Sequence, residues 1–174
     1  MEERGSLGDL LGHRCRRYAA AVRAARLALR QCGMDRAAIE LEIRNVVAGL
    51  ALTADMGRVD DYVRLFTPDA IWEMPANPNN GLPASRRVGH DEIAAGVHER
   101  RAAGAQGPGS ATRHVITTVQ VAVENDHEAS AQSYFLYYSN VSTAPTLTSM
   151  GHYTDTFRRT ADGWKLARRE IVIG

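Results

Sequence analysis

Cysteine is nearly absent from this chain, with only Cys15 and Cys32 among 174 residues. Seventeen positions apart on one expected helix, the two thiols cannot bridge. A disulfide framework and a thiolate metal site are both excluded. Long apolar runs are missing too, and none approaches the roughly 20 residues a helix needs to span a bilayer. The start is Arg-rich and acid-poor but has no uninterrupted apolar stretch of the kind a secretory signal carries. A cytoplasmic protein without a membrane partner is expected. Charge of one sign is also lacking, because 21 basic residues face 20 acidic ones for a net charge of +1. That balance argues against a nucleic-acid partner.

Chemical signatures are equally sparse. Gly107-Pro108-Gly109 leads into a strand-like run rather than a helix, so no phosphate cradle forms there. There is no nucleophile elbow and no cysteine with a plausible base. His90 and His98 are eight residues apart, which a helix does not bring onto one ion, so no metal is expected.

What is present is an ordinary globular composition, 44% hydrophobic and 24% charged. A chain of this length buries roughly 70% of its unfolded surface and needs no staple. The first 34 residues stand apart, with seven Arg against Glu2, Glu3 and Asp9. Leu7, Leu10, Leu11, Cys15, Tyr18, Val22, Ala25, Leu29 and Cys32 form one apolar stripe at helical spacing. Residues 1–34 therefore read as an amphipathic helical extension, stopped at Gly33, and 35–174 as the main domain. Asp35 can cap a second helix with Ile39, Ile43, Val46, Val47, Leu50 and Ala54 inward, ended by Gly57. A short third helix places Val59, Tyr62, Val63 and Phe66 inward. Thr67-Pro68-Asp69 reads as a turn into a strand over 70–74, and 75–83, with three prolines and a Gly, as a long loop. Asp91 can cap a further helix running to about Arg101. Four strand-like runs follow, over 112–124, 128–141, 147–159 and 163–173. Helices first and an antiparallel meander afterwards make an α+β layout.

Two residues carry most of the chemical interest. Asp55 closes the second helix on its stripe side beside Leu52 and Met56, where a carboxylate opposes the helix dipole at about 0.3–1 kcal/mol. Helix energetics alone would not select it. His114 lies near the start of the first long strand. Alternation puts His114, Ile116 and Thr118 on one face and Val115, Thr117, Val119 and Val121 on the other. A row of Val115, Val119, Val121 and Val123 offers a face for self-association into a dimer or trimer.

The run from Ala54 to Ala70, ending Leu-Phe-Thr-Pro-Asp-Ala, resembles a signature of SnoaL-like proteins. So do Val88-Gly-His-Asp-Glu-Ile93, Thr112-Arg-His114, Gly151-His-Tyr-Thr-Asp-Thr-Phe-Arg-Arg159 and Asp162-Gly-Trp-Lys-Leu166. These five motifs, in order over about residues 37–173, resemble the nuclear-transport-factor-2-like superfamily. The branch is the one holding scytalone dehydratase, bile-acid 7α-dehydratase and hexachlorocyclohexane dehydrochlorinase. The resemblance implies a cone-shaped barrel, its curved sheet wrapped around the helices to leave an apolar pocket for a small hydrophobic or aromatic molecule. It also implies an Asp-His dyad, which falls on Asp55 and His114, and a cofactor-independent lyase or isomerase. Several dehydratases of that branch have a tyrosine where this chain has Leu50. Tyr62, Tyr134, Tyr138, Tyr153 or His152 could take over the leaving oxygen, with Trp72 as pocket wall. Two other readings remain open. One is a non-catalytic binding or assembly protein like the β subunits of ring-hydroxylating dioxygenases; the other is epoxide hydrolysis, with Asp55 joined by Arg113 or Arg168 around a water.

Overall fold

A computed structural model describes residues 35–79 and 81–174. The Arg-rich helix expected over 1–34, with both cysteines, lies outside the described residues. Helix α1 runs over 35–56. Its inward positions recur at steps of three or four, so Ile39, Ile43, Val47, Leu50 and Ala54 are buried along one stripe. A short α2 follows (Val59–Val63), then strands β1 (Phe66–Met74) and β2 (Ser85–Val88), helix α3 (Gly89–Ala102), and strands β3 (Arg113–Val123), β4 (Glu128–Ser139), β5 (Thr146–Thr160) and β6 (Gly163–Ile173).

The six strands form one sheet in the order β2-β1-β6-β5-β4-β3. All neighbours are antiparallel except β1 and β6, which run parallel, so the sheet is mixed. Its edge strands, β2 and β3, are not hydrogen-bonded to each other, and the cone stays open. The inner face joins the helices in one core that includes Ile43, Leu50, Phe66, Ile93, Phe135, Phe157 and Leu166. The α+β class and the mostly antiparallel curved sheet expected from the sequence are those of the structure.

Several local expectations differ. Phe66-Thr67-Pro68-Asp69 lies within β1 instead of ending a helix and turning. A break in register between Phe66 and Ile71 absorbs Pro68, which cannot donate to a ladder. Helix α3 begins at Gly89, two residues before Asp91, and the Val88 N–H donates to the Glu92 carboxylate. On α1, Leu52 and Met56 face outward while Asp55 is buried.

The largest departure is in β3. Thr118 has a positive φ of 53°, and between Thr117 and Gln120 the strand carries one residue more than its partner. This bulge shifts the alternation by one. Val119, Val121 and Val123 therefore pack on the core beside Ile116, opposite Ser133, Ala131 and Ala129. Of the valine row expected to be available for association, only Val115 faces outward.

Gly151 on β5 illustrates how closely the inner face is packed. A Cβ there would run into the Val172 carbonyl oxygen and come within 2.8 Å of the Phe135 ring. Phe135 in turn stacks on Tyr153 at 4.7 Å. Gly151→Ala is expected to lower stability by about 1–3 kcal/mol through overpacking. Urea unfolding followed by tryptophan fluorescence would show it; an unchanged midpoint would mean the strand can shift to make room.

Candidate active site

The last turn of α1 brings Asp55 against the first residues of β3. The carboxylate, only 2% exposed, accepts two hydrogen bonds from one residue: the His114 main-chain N–H reaches Oδ2 at 2.7 Å and the His114 Nδ1 reaches Oδ1 at 2.7 Å. Because a carboxylate only accepts, Nδ1 carries a proton, and in the neutral imidazole the lone pair is then on Nε2. Nε2 has no hydrogen-bond partner among the described residues. The imidazole is thus held in one tautomer and one orientation. The Tyr137 ring packs against it at 5.0 Å.

A buried carboxylate at a helix C-terminus is opposed by the helix dipole. Arg101, from the last turn of α3, supplies the compensation. Its Nη2 donates to the carbonyls of Gly57 at 2.8 Å, Thr53 at 3.2 Å and Ala54 at 3.5 Å where α1 ends, the Thr53 carbonyl also accepting the Gly57 main-chain N–H. Gly107, with a φ of 100°, lets the chain lie directly on the Arg101 stem, since a Cβ there would sit 2.8 Å from its Cγ. Arg101 was not singled out from the sequence, where it reads as one more basic residue closing a helix.

His114 faces a cavity of about 470 Å³, within the size range of small-molecule sites. Most of its wall is apolar, from Leu50, Ala51, Ala54, Ile116, Phe135, Ile171 and Ile173. Leu82, from the Pro-rich loop, lies over it. Of the aromatic residues expected here, Tyr62, Trp72 and Tyr153 line the cavity. Tyr134 and His152 do not. They are ladder partners on the opposite face, beside Thr118 and Gln120, and Tyr134 is 50% exposed. The inner residues of β4 are the odd-numbered ones, so Tyr137 takes the position at the cavity and half-buried Tyr138 turns away. The Tyr137 hydroxyl donates to the Ala105 carbonyl, tying the loop after α3 to the wall. Arg113 and Arg168 also lie outside the cavity. Arg168 is bound on the outer face by Glu73 and Glu170.

One arginine that does reach the cavity is Arg169. A register break between Thr156 and Phe157 gives β6 an extra residue and turns Arg169 inward. Its Nε and Nη2 bind both oxygens of Asp155, at 2.8 and 2.7 Å, in a buried two-pronged pair. Burial works against the charge of Arg169, but the Asp155 charge and hydrogen bonds outweigh it and hold its pKa above the ordinary value. The guanidinium stacks 4.0 Å from the Tyr153 ring. Burial pushes the Tyr153 phenol up by more than Arg169 draws it down, and burial likewise raises Tyr62. Both phenols are neutral donors near pH 7. Sequence reasoning missed Arg169 because a strand bulge leaves no mark on alternation. Asp155 did leave one, as a lone carboxylate between inward Tyr153 and Phe157. Asp155→Leu strands a buried guanidinium and is expected to cost about 3–5 kcal/mol, whereas Asp155→Leu with Arg169→Met should recover most of it. Thermal melts of the two variants decide this, and a double variant no better than the single one would contradict it.

Among the described residues no three His, Cys, Asp or Glu side chains gather as a metal would need, and no helix is long and apolar enough to cross a membrane. No curated protein matches the sequence at a significant level. Similar solved structures are numerous. A nuclear-transport-factor-2-like protein with a cystatin-like fold from Novosphingobium aromaticivorans is 26% identical, covering 86% of each chain at a TM-score of 0.64. A candidate scytalone dehydratase from the same organism is 18% identical, covering 82% of this chain and 88% of its own at 0.60. The β subunit of a candidate aromatic-ring-hydroxylating dioxygenase, also from N. aromaticivorans, is 22% identical, with 75% and 86% covered at 0.60. At such identities the last two speak for the fold alone. The family model described as a SnoaL-like domain matches residues 35–170, and the chain therefore belongs to the SnoaL-like family of the nuclear-transport-factor-2-like superfamily.

Proposed function

We propose that the protein is a cofactor-independent lyase or isomerase acting on a small cyclic or aromatic molecule, with Asp55 and His114 as its catalytic pair. The observation that carries this reading is the double hydrogen bond from His114 to the buried Asp55 carboxylate at the wall of an apolar cavity. It leaves Nε2 as a base of fixed orientation. In an elimination, Nε2 takes a proton from a carbon acidified by a neighbouring carbonyl. The C–H electron pair becomes the new C=C bond as the C–O bond to the leaving hydroxyl breaks, and the proton on His114 is then given to that oxygen as water leaves. Asp55 stabilises the imidazolium formed in between. In an isomerisation the same proton returns to a different carbon.

Leu50 has no hydroxyl to offer the leaving oxygen. Tyr62 and Tyr153 line the cavity as neutral phenols, with Trp72 beside them and Arg169 against Tyr153. Together these groups supply the donors and the aromatic wall that such a substrate needs. Tyr134, Tyr138 and His152 have no part in this arrangement.

A non-catalytic assembly role, of the kind the β-subunit likeness brings to mind, draws on a different observation. The outer sheet face exposes Val115, Tyr134, Leu147 and Met150. We take that face to serve self-association into a dimer or trimer of a cytoplasmic enzyme, and sedimentation velocity would measure it. Catalysis is tested with polycyclic hydroxyketones, followed by absorbance for loss of water and by NMR in D₂O for C–H exchange. His114→Gln is expected to lower the rate about 10²–10⁴-fold, and Asp55→Asn to lower it similarly with the fold retained. Wild-type turnover unaffected by His114→Gln would remove the dyad from the chemistry.

A further inference from the structure

Apart from the dyad and the Asp155–Arg169 pair, the cavity wall carries a third polar assembly, Arg100 with Gln106. Arg100 stands in the last turn of α3, with its guanidinium 4.8 Å from the centre of the Trp72 ring. Its Nε donates to the Gln106 Oε1 at 3.1 Å. An arginine N–H can only donate, so this bond decides which way the glutamine amide is turned. The oxygen faces Arg100, and Nε2 is presented elsewhere. Gln106 is 7% exposed, and Nε2 is buried without a hydrogen-bond partner among the described residues. Buried side-chain donors are normally satisfied, and one left over marks a place where an acceptor belongs.

The charges point the same way. The carboxylates near this cavity lie behind their partners, Asp55 against His114 and Asp155 against Arg169, and neither forms part of the wall. Arg87 is paired with Glu99 and Arg169 with Asp155. Arg100 has no carboxylate within ion-pair distance among the described residues, although burial already draws its pKa down. The wall therefore offers an unmatched cation and, beside it, an unmatched amide donor, both held in place by Trp72 and by each other. Gln106 also follows Ala105, whose carbonyl is bonded to Tyr137, the residue packed on His114. The donors and the dyad share one wall system.

We infer that the cavity selects organic anions, apolar ring systems bearing a carboxylate or phenolate whose charged oxygen is held by the Arg100 guanidinium and the Gln106 Nε2. This rests on reading the cavity as a substrate site, and it names the substrate class without requiring that the dyad be catalytic. A neutral ring of the same shape fills the apolar part but leaves Arg100 and Gln106 unmatched.

The probes are 2-naphthoate and its methyl ester, titrated by calorimetry against the full chain. The wild type is expected to bind naphthoate at least about tenfold more tightly than the ester, as a charge-assisted contact implies. Arg100→Gln should abolish that preference while leaving ester affinity within about twofold, and Gln106→Leu should weaken naphthoate alone by about three- to tenfold. Arg100→Lys, which keeps the charge but not the fork, should retain part of the preference and covers the case in which Arg100→Gln does not fold. His114→Gln should leave the preference intact. That outcome separates the two readings: a lost rate with an intact preference supports both, and an intact rate with an intact preference sinks only the dyad. Equal affinities for acid and ester in the wild type, no binding of either, or a preference that survives Arg100→Gln would each overturn the anion assignment.

Discussion

The two hydrogen bonds that His114 gives to the Asp55 carboxylate hold the end of a helix to the beginning of a strand, and the site follows from that junction. One bond comes from the main chain and one from the ring, so the same contact that joins the two elements also orients the imidazole. A carboxylate taken out of water needs such partners. Its position at a helix C-terminus adds an unfavourable dipole, which Arg101 offsets by binding two α1 carbonyls and that of Gly57, just past the helix, with one guanidinium. The loop after α3 then lies on Arg101 through Gly107 and is tied to the sheet by Tyr137. Helix end, clamp, loop and strand thus form one connected support beneath His114.

Irregularities in the strands decide what the cavity contains. The extra residue at Thr118 keeps His114 and Ile116 inward while bringing Val119, Val121 and Val123 to the same side. Another in β6 keeps Trp164 and Leu166 inward and adds Arg169 further along. Without such shifts a strictly alternating strand could not combine a long apolar core with a polar group at one end on a single face. The sheet thereby packs tightly at one end, around Phe157 and Leu166, and opens at the other into the cavity.

Charge inside that cavity is handled in two ways. Arg169 is matched by Asp155 with good geometry and stacked on Tyr153, a closed arrangement that rigidifies the wall. Arg100 is stacked on Trp72 and bound to Gln106 but has no counter-charge among the described residues. A matched pair belongs to the architecture. An unmatched cation beside an unmatched donor is suited to an external partner.

Much of this was legible in the chain. The 3.6-residue stripe of α1, the Gly after it and the change of period at residue 112 are local properties of the covalent sequence, so the α+β class and nearly every element followed from them. Asp55 stood out because it violated helix energetics, and His114 because of its strand position and the resemblance. Tyr62, Trp72 and Tyr153 were named as candidates and line the cavity, whereas Tyr134, Tyr138 and His152 were named on the same footing and do not. The difference lies in the face of the sheet, which a one-residue bulge reverses without changing composition or period. Arg101, Tyr137, Arg169 and the Arg100–Gln106 assembly were invisible for a related reason. Each is a polar residue whose role depends on a partner that no helix or strand period picks out: 44 residues away for Arg101 and Gly57, 32 for Tyr137 and Ala105, 14 for Arg169 and Asp155, and 6, across the end of α3, for Arg100 and Gln106. By itself the chain determined nearly all the elements and singled out Asp55, the residue that strains helix energetics. Only tertiary structure decided which polar groups meet, because hydrogen bonds and ion pairs are satisfied across space and carry no periodic trace along the backbone.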